Sequence, residues 1–269
     1  MSKIQDAINT TRKQTLRGLR MPLNVRGTSS SSEQAETPIH LDGIGNLVLD
    51  PTQMERSCLL PFVKDKGAES SFMLLRTRLL KRMRDNNWKS LIVTGALPNE
   101  GKTTTAINLA IGISQDFGQV VVLVDLDLER PSIADSLGIK RTSGLSDYFN
   151  GEAAANEVMY NTDIDRLIIL PNFEPIHSSE TLVSSKMHAL LDHIKQLHSN
   201  MIVIFDMSPV LNSDGVLAFA PHVDSLLFVV SEGHTKRALL RRANQMIEEI
   251  PKVGVVLNRS SEGNAGGYY

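Results

Sequence analysis

Residues 95–103 read Gly-Ala-Leu-Pro-Asn-Glu-Gly-Lys-Thr, which matches the phosphate-binding loop pattern G-x-x-x-x-G-K-[ST] in full. The apolar run 91–93 before it is suited to a buried strand, and residues 104–110 after it read as a helix. A strand, a glycine-rich loop and a helix in this order are the context that the motif requires. The chain is therefore predicted to bind a polyphosphate between the end of a strand and the start of a helix.

Apolar strands and helices alternate along the chain from Trp88 onward. The strands are apolar throughout, which is typical of a parallel sheet buried on both faces. The predicted strands are 91–94, 120–124, 167–170, 201–205, 226–230 and 253–257, and the predicted helices are 69–84, 103–114, 179–197 and 235–250. This order predicts an α/β fold in which a mostly parallel β-sheet is covered by helices on both faces.

The phosphate-binding loop supplies a set of predicted nucleotide contacts. Its backbone N–H groups can surround a polyphosphate at the positive end of the following helix. Lys102 is placed to reach the β- and γ-phosphates, and the Thr103 hydroxyl is placed to ligate Mg²⁺. The predicted nucleotide-binding residues of this segment are Gly95, Pro98, Asn99, Glu100, Gly101, Lys102, Thr103 and Thr104.

Two further strands are predicted to end in carboxylates. The run 120–124 leads into Asp125 and Asp127, whose spacing puts both side chains on one side of an extended chain. The run 201–205 leads into Asp206, which resembles the Walker B acid that holds Mg²⁺. Ligands of open α/β sheets bind at the carboxyl ends of the strands, so these acids are predicted to approach the phosphates. One carboxylate can accept a proton from an attacking hydroxyl; for Asp125 and Asp127 alone, a helix cap or a solvated strand end is an equal alternative.

The composition excludes several classes of protein. A formal net charge of -2 argues against a general nucleic-acid binder, so no nucleic-acid partner is expected. Cys58 is the one cysteine, which excludes a disulfide framework and a cysteine metal cluster. No apolar run reaches about 18 residues, and the N-terminus lacks an apolar signal core, so a cytoplasmic protein is expected.

Three segments are expected from the distribution of charge and of turn-forming residues. They are a basic N-terminal arm and flexible linker at 1–66, a phosphate-loop domain at 67–260 and a flexible tail at 261–269. Residues 1–30 carry six basic side chains against one acidic side chain. This arm can make a peripheral contact with anionic lipid or an acidic partner, or it can be a solvated chain end.

The ordered motifs are similar to those of bacterial tyrosine kinases of the polysaccharide-export type. Beside the phosphate loop, they are Val-Asp-Leu-Asp-Leu-Glu-Arg-Pro at 124–131 and Ile-Phe-Asp-Met-Ser-Pro-Val at 204–210. The similarity covers residues 68–260 and points to the soluble members associated with exopolysaccharide operons and exosortase systems. It implies the P-loop NTPase fold shared with the partition ATPases, ATP and Mg²⁺ as cofactors, and protein-tyrosine autokinase activity that regulates exopolysaccharide chain length, polymerisation or export.

The resemblance also implies roles for single residues. Lys102, Asp125 and Asp127 would be the catalytic residues, with Asp125 as the base or as the acid that organises the metal. Thr103, Asp127 and Asp206 would hold Mg²⁺, and Asp127 would do so through water.

Further implications concern the end of the chain and its partners. Asn258 would meet the edge of the adenine, and Tyr268 and Tyr269 would be the phosphoacceptors in a tail that reaches a neighbouring active site. The family resemblance implies a homo-oligomer and a membrane-bound polysaccharide chain-length or co-polymerase protein as partner. Such a partner would place the protein at the inner face of the plasma membrane.

The chain departs from the family pattern at several places. Glu129 stands where the family usually has arginine, and Ser208 stands where it often has proline. Only Arg76 of the family's Glu/Arg/Arg assembly pattern is kept, because Ser70 and Met73 occupy the other two places.

Two alternatives to the kinase share the phosphate loop. One is a nucleotide-switched ATPase like the partition and septum-positioning proteins, whose signature lysine is replaced here by Leu97. The other is an ATP-binding regulatory scaffold without kinase activity. The intact Lys102, Asp125, Asp127 and Asp206 argue against this loss of chemistry.

Overall fold

The structure, a computed structural model, describes residues 43–116, 118–176 and 178–260. Most of the basic arm and the whole tail with Tyr268 and Tyr269 lie outside the described residues. Within the described part of the chain, no helix is both long enough and apolar enough to span a bilayer.

The described strands form one eight-stranded sheet with the order β1-β4-β5-β3-β6-β2-β7-β8. All neighbours are parallel except β4 and β5, which are antiparallel. This confirms the predicted mostly parallel sheet. The strands are β1 (Gly45–Leu47), β2 (Ser90–Gly95), β3 (Val120–Leu126), β4 (Tyr160–Thr162), β5 (Leu167–Leu170), β6 (Met201–Met207), β7 (Ser225–Ser231) and β8 (Lys252–Asn258).

Helices cover both faces of the sheet, as predicted. Side chains alternate along each strand, so Leu91 and Val93 of β2 enter one apolar core while Ile92 enters the other. The first core is closed by α1–α4 and the second by α5–α8. The helices of the described residues are α1 (Pro51–Arg56), α2 (Lys66–Asp85), α3 (Lys102–Ser114), α4 (Ile133–Leu137), α5 (Leu145–Asn150), α6 (Ser185–Leu197), α7 (Gly215–Phe219) and α8 (Arg237–Met246), with 3₁₀ turns at Ala155–Val158, Ser179–Val183 and Ala220–His222.

The predicted helix 179–197 is divided in the structure. A 3₁₀ turn over Ser179–Val183 is followed by Ser184, whose side chain accepts a hydrogen bond from the Met187 N–H at 3.2 Å. That bond caps a new helix, α6, because a serine oxygen satisfies one of the free N–H groups of a first turn. The apolar periodicity continues across the break, so the sequence pattern predicts a single helix over both segments.

Residues 43–66 belong to the folded domain, which corrects the predicted boundary at residue 66. The strand β1 pairs with β4, and Met54 of α1 and Leu59 are buried in the first core. Asn108 of α3 holds this segment by accepting from the Leu60 N–H at 2.7 Å and donating to the Cys58 carbonyl at 3.2 Å. The elements here are only a few residues long, so they carry too little periodicity for a prediction.

Candidate functional site

The phosphate-binding loop connects the end of β2 at Gly95 to the start of α3 at Lys102. Gly101 caps α3 with φ +88°, a left-handed backbone conformation that residues other than glycine rarely adopt. A Cβ on Gly101 would also collide with the Asn258 amide, and one on Gly95 would collide with the Glu100 carboxylate. Both glycines are therefore required for the loop to keep this path.

Glu100 anchors the loop from within. Its side chain is fully buried, with Oε2 accepting from the Leu97 N–H at 2.9 Å and Oε1 accepting from the Thr235 hydroxyl. The Asn258 amide donates to the Glu100 carbonyl at 2.8 Å. The loop is thus tied to the segment before α8 and to the end of β8, and Thr235 is a site residue that the sequence did not indicate.

Three carboxylates meet beside the loop at the carboxyl ends of neighbouring strands. Asp125 on β3 is the register partner of Asp206 on β6, and Asp206 is also paired with Val93 on β2. Asp127 follows β3 directly. The sheet order β3-β6-β2 places Asp206 on the strand between the other acids and the strand that leads into the loop. The structure therefore brings together the acids that the sequence placed at this edge.

Asp125 is buried and only half satisfied. Its Oδ2 accepts from the Ser132 and Ile133 N–H groups, each at 3.0 Å, while its Oδ1 has no partner among the described residues. Burial, followed by the negative charge of Asp206, raises the pKa of Asp125 well above its usual range, and the two N–H bonds oppose that rise only in part.

Asp206 is fully buried, and neither of its oxygens has a well-formed hydrogen bond within the described residues. Burial raises the pKa of Asp206 to about 7, against the lowering effects of the nearby Thr103 hydroxyl and the Lys102 charge. The Thr103 hydroxyl lies 3.1 Å from Ser132 Oγ, so it is shared between neighbours. Lys102 is also buried, and its positive charge partly balances the negative charge of Asp206.

The orphaned carboxylate oxygens fit a divalent cation. Buried polar atoms without partners are rare, and a cation with its waters would satisfy the two oxygens of Asp206. The described residues do not form a group of three or more direct metal ligands. Mg²⁺ keeps several waters and takes its other oxygens from one or two protein groups and the phosphates, so the two unpartnered oxygens of Asp206 suit it.

A cavity of about 640 Å³ lies at the carboxyl ends of β3 and β6, where Leu126 and Met207 are among its lining residues. Its apolar wall includes Leu128, Leu182 and Met207, and its polar edge includes Ser208 and Asp214. Ser208 reaches the acids directly, because its Oγ donates to Asp127 Oδ1 at 2.7 Å. The cavity is therefore linked to the acidic group through the hydrogen bond between Ser208 and Asp127.

The chain resembles known proteins over most of its length. A family model described as the AAA domain matches residues 99–260. Tyrosine-protein kinase YwqD of Bacillus subtilis is 26% identical over 223 residues, which cover 81% of this chain and 93% of that protein. The succinoglycan biosynthesis transport protein ExoP of Rhizobium meliloti is 28% identical over 185 residues, which cover 66% of this chain and 23% of that protein.

Solved structures share the fold. The kinase domain of the Escherichia coli tyrosine kinase ETK superposes with a TM-score of 0.64 at 26% identity, covering 74% of this chain and 80% of that one. The cell division ATPase MinD of Pyrococcus furiosus has a TM-score of 0.52 at 22% identity, covering 65% and 74%, which shows a common fold only. Because the family model spans more than half of the chain, this protein belongs to the AAA domain family, where it resembles the bacterial tyrosine-protein kinases.

Proposed function

We propose that this protein is an ATP- and Mg²⁺-dependent protein-tyrosine kinase that phosphorylates tyrosines of its own kind of chain. The observation that carries this proposal is the meeting of the loop lysine, Lys102, with Asp125, Asp127 and Asp206 beside one phosphate-binding loop. The similarity to tyrosine-protein kinases over most of both chains supports the same reaction.

Different residues are proposed to bind the phosphates, the metal ion and the nucleotide. Backbone N–H groups of residues 98–103 and the Lys102 ammonium hold the phosphates and balance the charge that develops on them. Thr103 and Asp206, with Asp127 acting through water, would hold Mg²⁺, which would supply further charge neutralisation at the phosphates. Thr104 and Asn258 are proposed to complete the nucleotide site, although the Asn258 amide already supports the loop.

Asp125 is the proposed base. Its free Oδ1 and its raised pKa suit a group that takes the phenolic proton as the tyrosine oxygen attacks the γ-phosphorus. The bond between the γ-phosphorus and the bridging oxygen breaks at the same time, and ADP leaves with that electron pair. The proton thus ends on Asp125 and the phosphoryl group on the tyrosine.

The cavity beside Asp127 is the proposed entrance for the acceptor ring. Its volume of about 640 Å³ and its apolar wall suit an aromatic side chain, and its polar edge lies next to the acids. Tyr268 and Tyr269 are the proposed acceptors, delivered from a neighbouring copy in a homo-oligomer. A membrane-bound polysaccharide chain-length protein is the proposed partner, at the inner face of the plasma membrane. The basic arm is proposed to contact lipid there.

Labelling with γ-³²P ATP tests this function. We expect Mg²⁺-dependent label on tyrosine in the wild-type protein, no label in Lys102→Met, and strongly reduced label when Tyr268 and Tyr269 are both changed to phenylalanine. Label that persists in Lys102→Met would contradict the site.

A partition-type ATPase switch is the second candidate, because the cell division ATPase MinD has the same fold. Leu97 occupies the place of the signature lysine of that class, which favours the kinase. In the labelling experiment, release of free phosphate with no label on protein would support the switch and reject the kinase. Retention of bound ATP with neither product would support a regulatory scaffold.

A further inference from the structure

Ser208 forms hydrogen bonds with Asp127 and with Thr94, on two separate segments of the proposed reaction centre. Its side chain is buried, and its Oγ donates to Asp127 Oδ1 at 2.7 Å. Its carbonyl accepts from the Thr94 hydroxyl at 2.8 Å, which attaches it to the strand that leads into the phosphate loop.

The contact determines how Asp127 is presented. The Arg130 N–H donates to the same oxygen, Oδ1, at 3.1 Å, and no group of the described residues donates to Oδ2. Two donors on one oxygen fix the plane of the carboxylate and leave Oδ2 as its free acceptor. Hydrogen bonds to an ionised acceptor are shorter and stronger than those between neutral groups, so the loss of either donor should loosen the side chain.

We propose that Ser208 is a positioning residue, which orients the free oxygen of Asp127 toward the water shell of the nucleotide-bound Mg²⁺. The inference rests on the proposed function to the extent that Mg²⁺-nucleotide binds beside Asp127. Ser208 acts through Asp127, to which its hydroxyl is already bonded, and it needs no contact with the substrate.

Calorimetric titration with ADP, in Mg²⁺ and in EDTA, tests the proposal without phosphoryl transfer. We expect Ser208→Ala to bind ADP in EDTA with the same affinity as the wild type. The increase in ADP affinity that Mg²⁺ produces should be about tenfold smaller in this variant, since residues that orient metal ligands typically contribute about 10- to 100-fold. Ser208→Thr keeps a hydroxyl and should recover most of this gain. Ser225→Ala is the matched control, because it removes another buried serine hydroxyl, bonded to the Ser90 carbonyl at 3.0 Å, at the opposite end of the sheet.

A double variant tests whether Ser208 acts through Asp127. Asp127→Asn should lose the Mg²⁺ gain by itself, and adding Ser208→Ala should then change nothing further. The proposal would be overturned if Mg²⁺ increased the ADP affinity of Ser208→Ala as much as that of the wild type. It would also be overturned if Ser208→Ala reduced this increase equally in the wild-type and the Asp127→Asn background. A wild-type protein that makes no phosphotyrosine but shows the expected calorimetry would reject the kinase and leave Ser208 in this role.

Discussion

Asp206 should make the nucleotide-free protein less stable as the pH rises. Burial raises the pKa of its carboxyl from 3.8 to about 7 in the folded state, while an unfolded chain releases that proton at the ordinary value. Ionisation is therefore harder in the folded protein, so stability is lost progressively between these two pKa values and the full cost is present above pH 7. Asp206→Asn removes the charge and should remove this cost.

The magnitude follows from the same values. At about 1.4 kcal/mol per pKa unit, the difference between 3.8 and about 7 corresponds to an upper limit of roughly 4 kcal/mol. Between pH 5 and pH 8, the advantage of Asp206→Asn in the free energy of unfolding should grow by up to about 3 kcal/mol.

Urea unfolding at pH 5 and pH 8, in EDTA and without nucleotide, measures this change. Asp192→Asn is the control, because it removes an acid whose side chain is 71% exposed, and its effect should be small at both pH values. An Asp206→Asn advantage that is the same at pH 5 and pH 8, or a variant that is less stable at pH 8, would refute the reasoning. Excess Mg²⁺-ADP should stabilise the wild type more than the variant, since ligand binding to the folded state adds stability.

Three further substitutions test the loop and its support. Gly101→Ala places a side chain at φ +88°, a strain that costs about 1–3 kcal/mol, and should weaken Mg²⁺-ADP binding about tenfold or more. Calorimetry measures the affinity, and an unchanged circular dichroism spectrum shows that the variant is folded. Thr235→Val removes the donor to Glu100 and should raise the KM for ATP more than it lowers kcat in steady-state kinetics; an unchanged KM would count against the loop tie. Asn108→Ala breaks the bonds to segment 58–60 and should lower the free energy of unfolding in urea by roughly 1–3 kcal/mol, with the same ADP affinity as the wild type.

Local signals in the sequence were sufficient to predict the central sheet and the position of its acids at one edge. Strands such as 120–124 and 201–205 are apolar at every position, and each runs into the acid that the structure places beside the loop. The loop motif predicts its own backbone path, because Gly101 must adopt a left-handed conformation. The placement of ligands at the carboxyl ends of parallel strands then predicts which edge of the sheet carries the acids.

Contacts between distant segments could not be read from the sequence. The Glu100–Thr235 hydrogen bond spans 135 positions, and the Ser208–Asp127 bond spans 81. No local pattern marks a threonine or serine as the partner of a particular carboxylate. The short elements β1 and β4 were missed for a related reason, since each is only 3 residues long and forms by pairing rather than by its own periodicity.

Phosphopeptide mapping tests the central claim most directly. Purified protein would be incubated with Mg²⁺-ATP, digested and sequenced by mass spectrometry, beside Lys102→Met and Asp125→Asn. We expect phosphotyrosine in the wild-type peptide that contains Tyr268 and Tyr269, and none in either variant. Consumption of ATP by the wild type with every tyrosine-containing peptide left unmodified would contradict it.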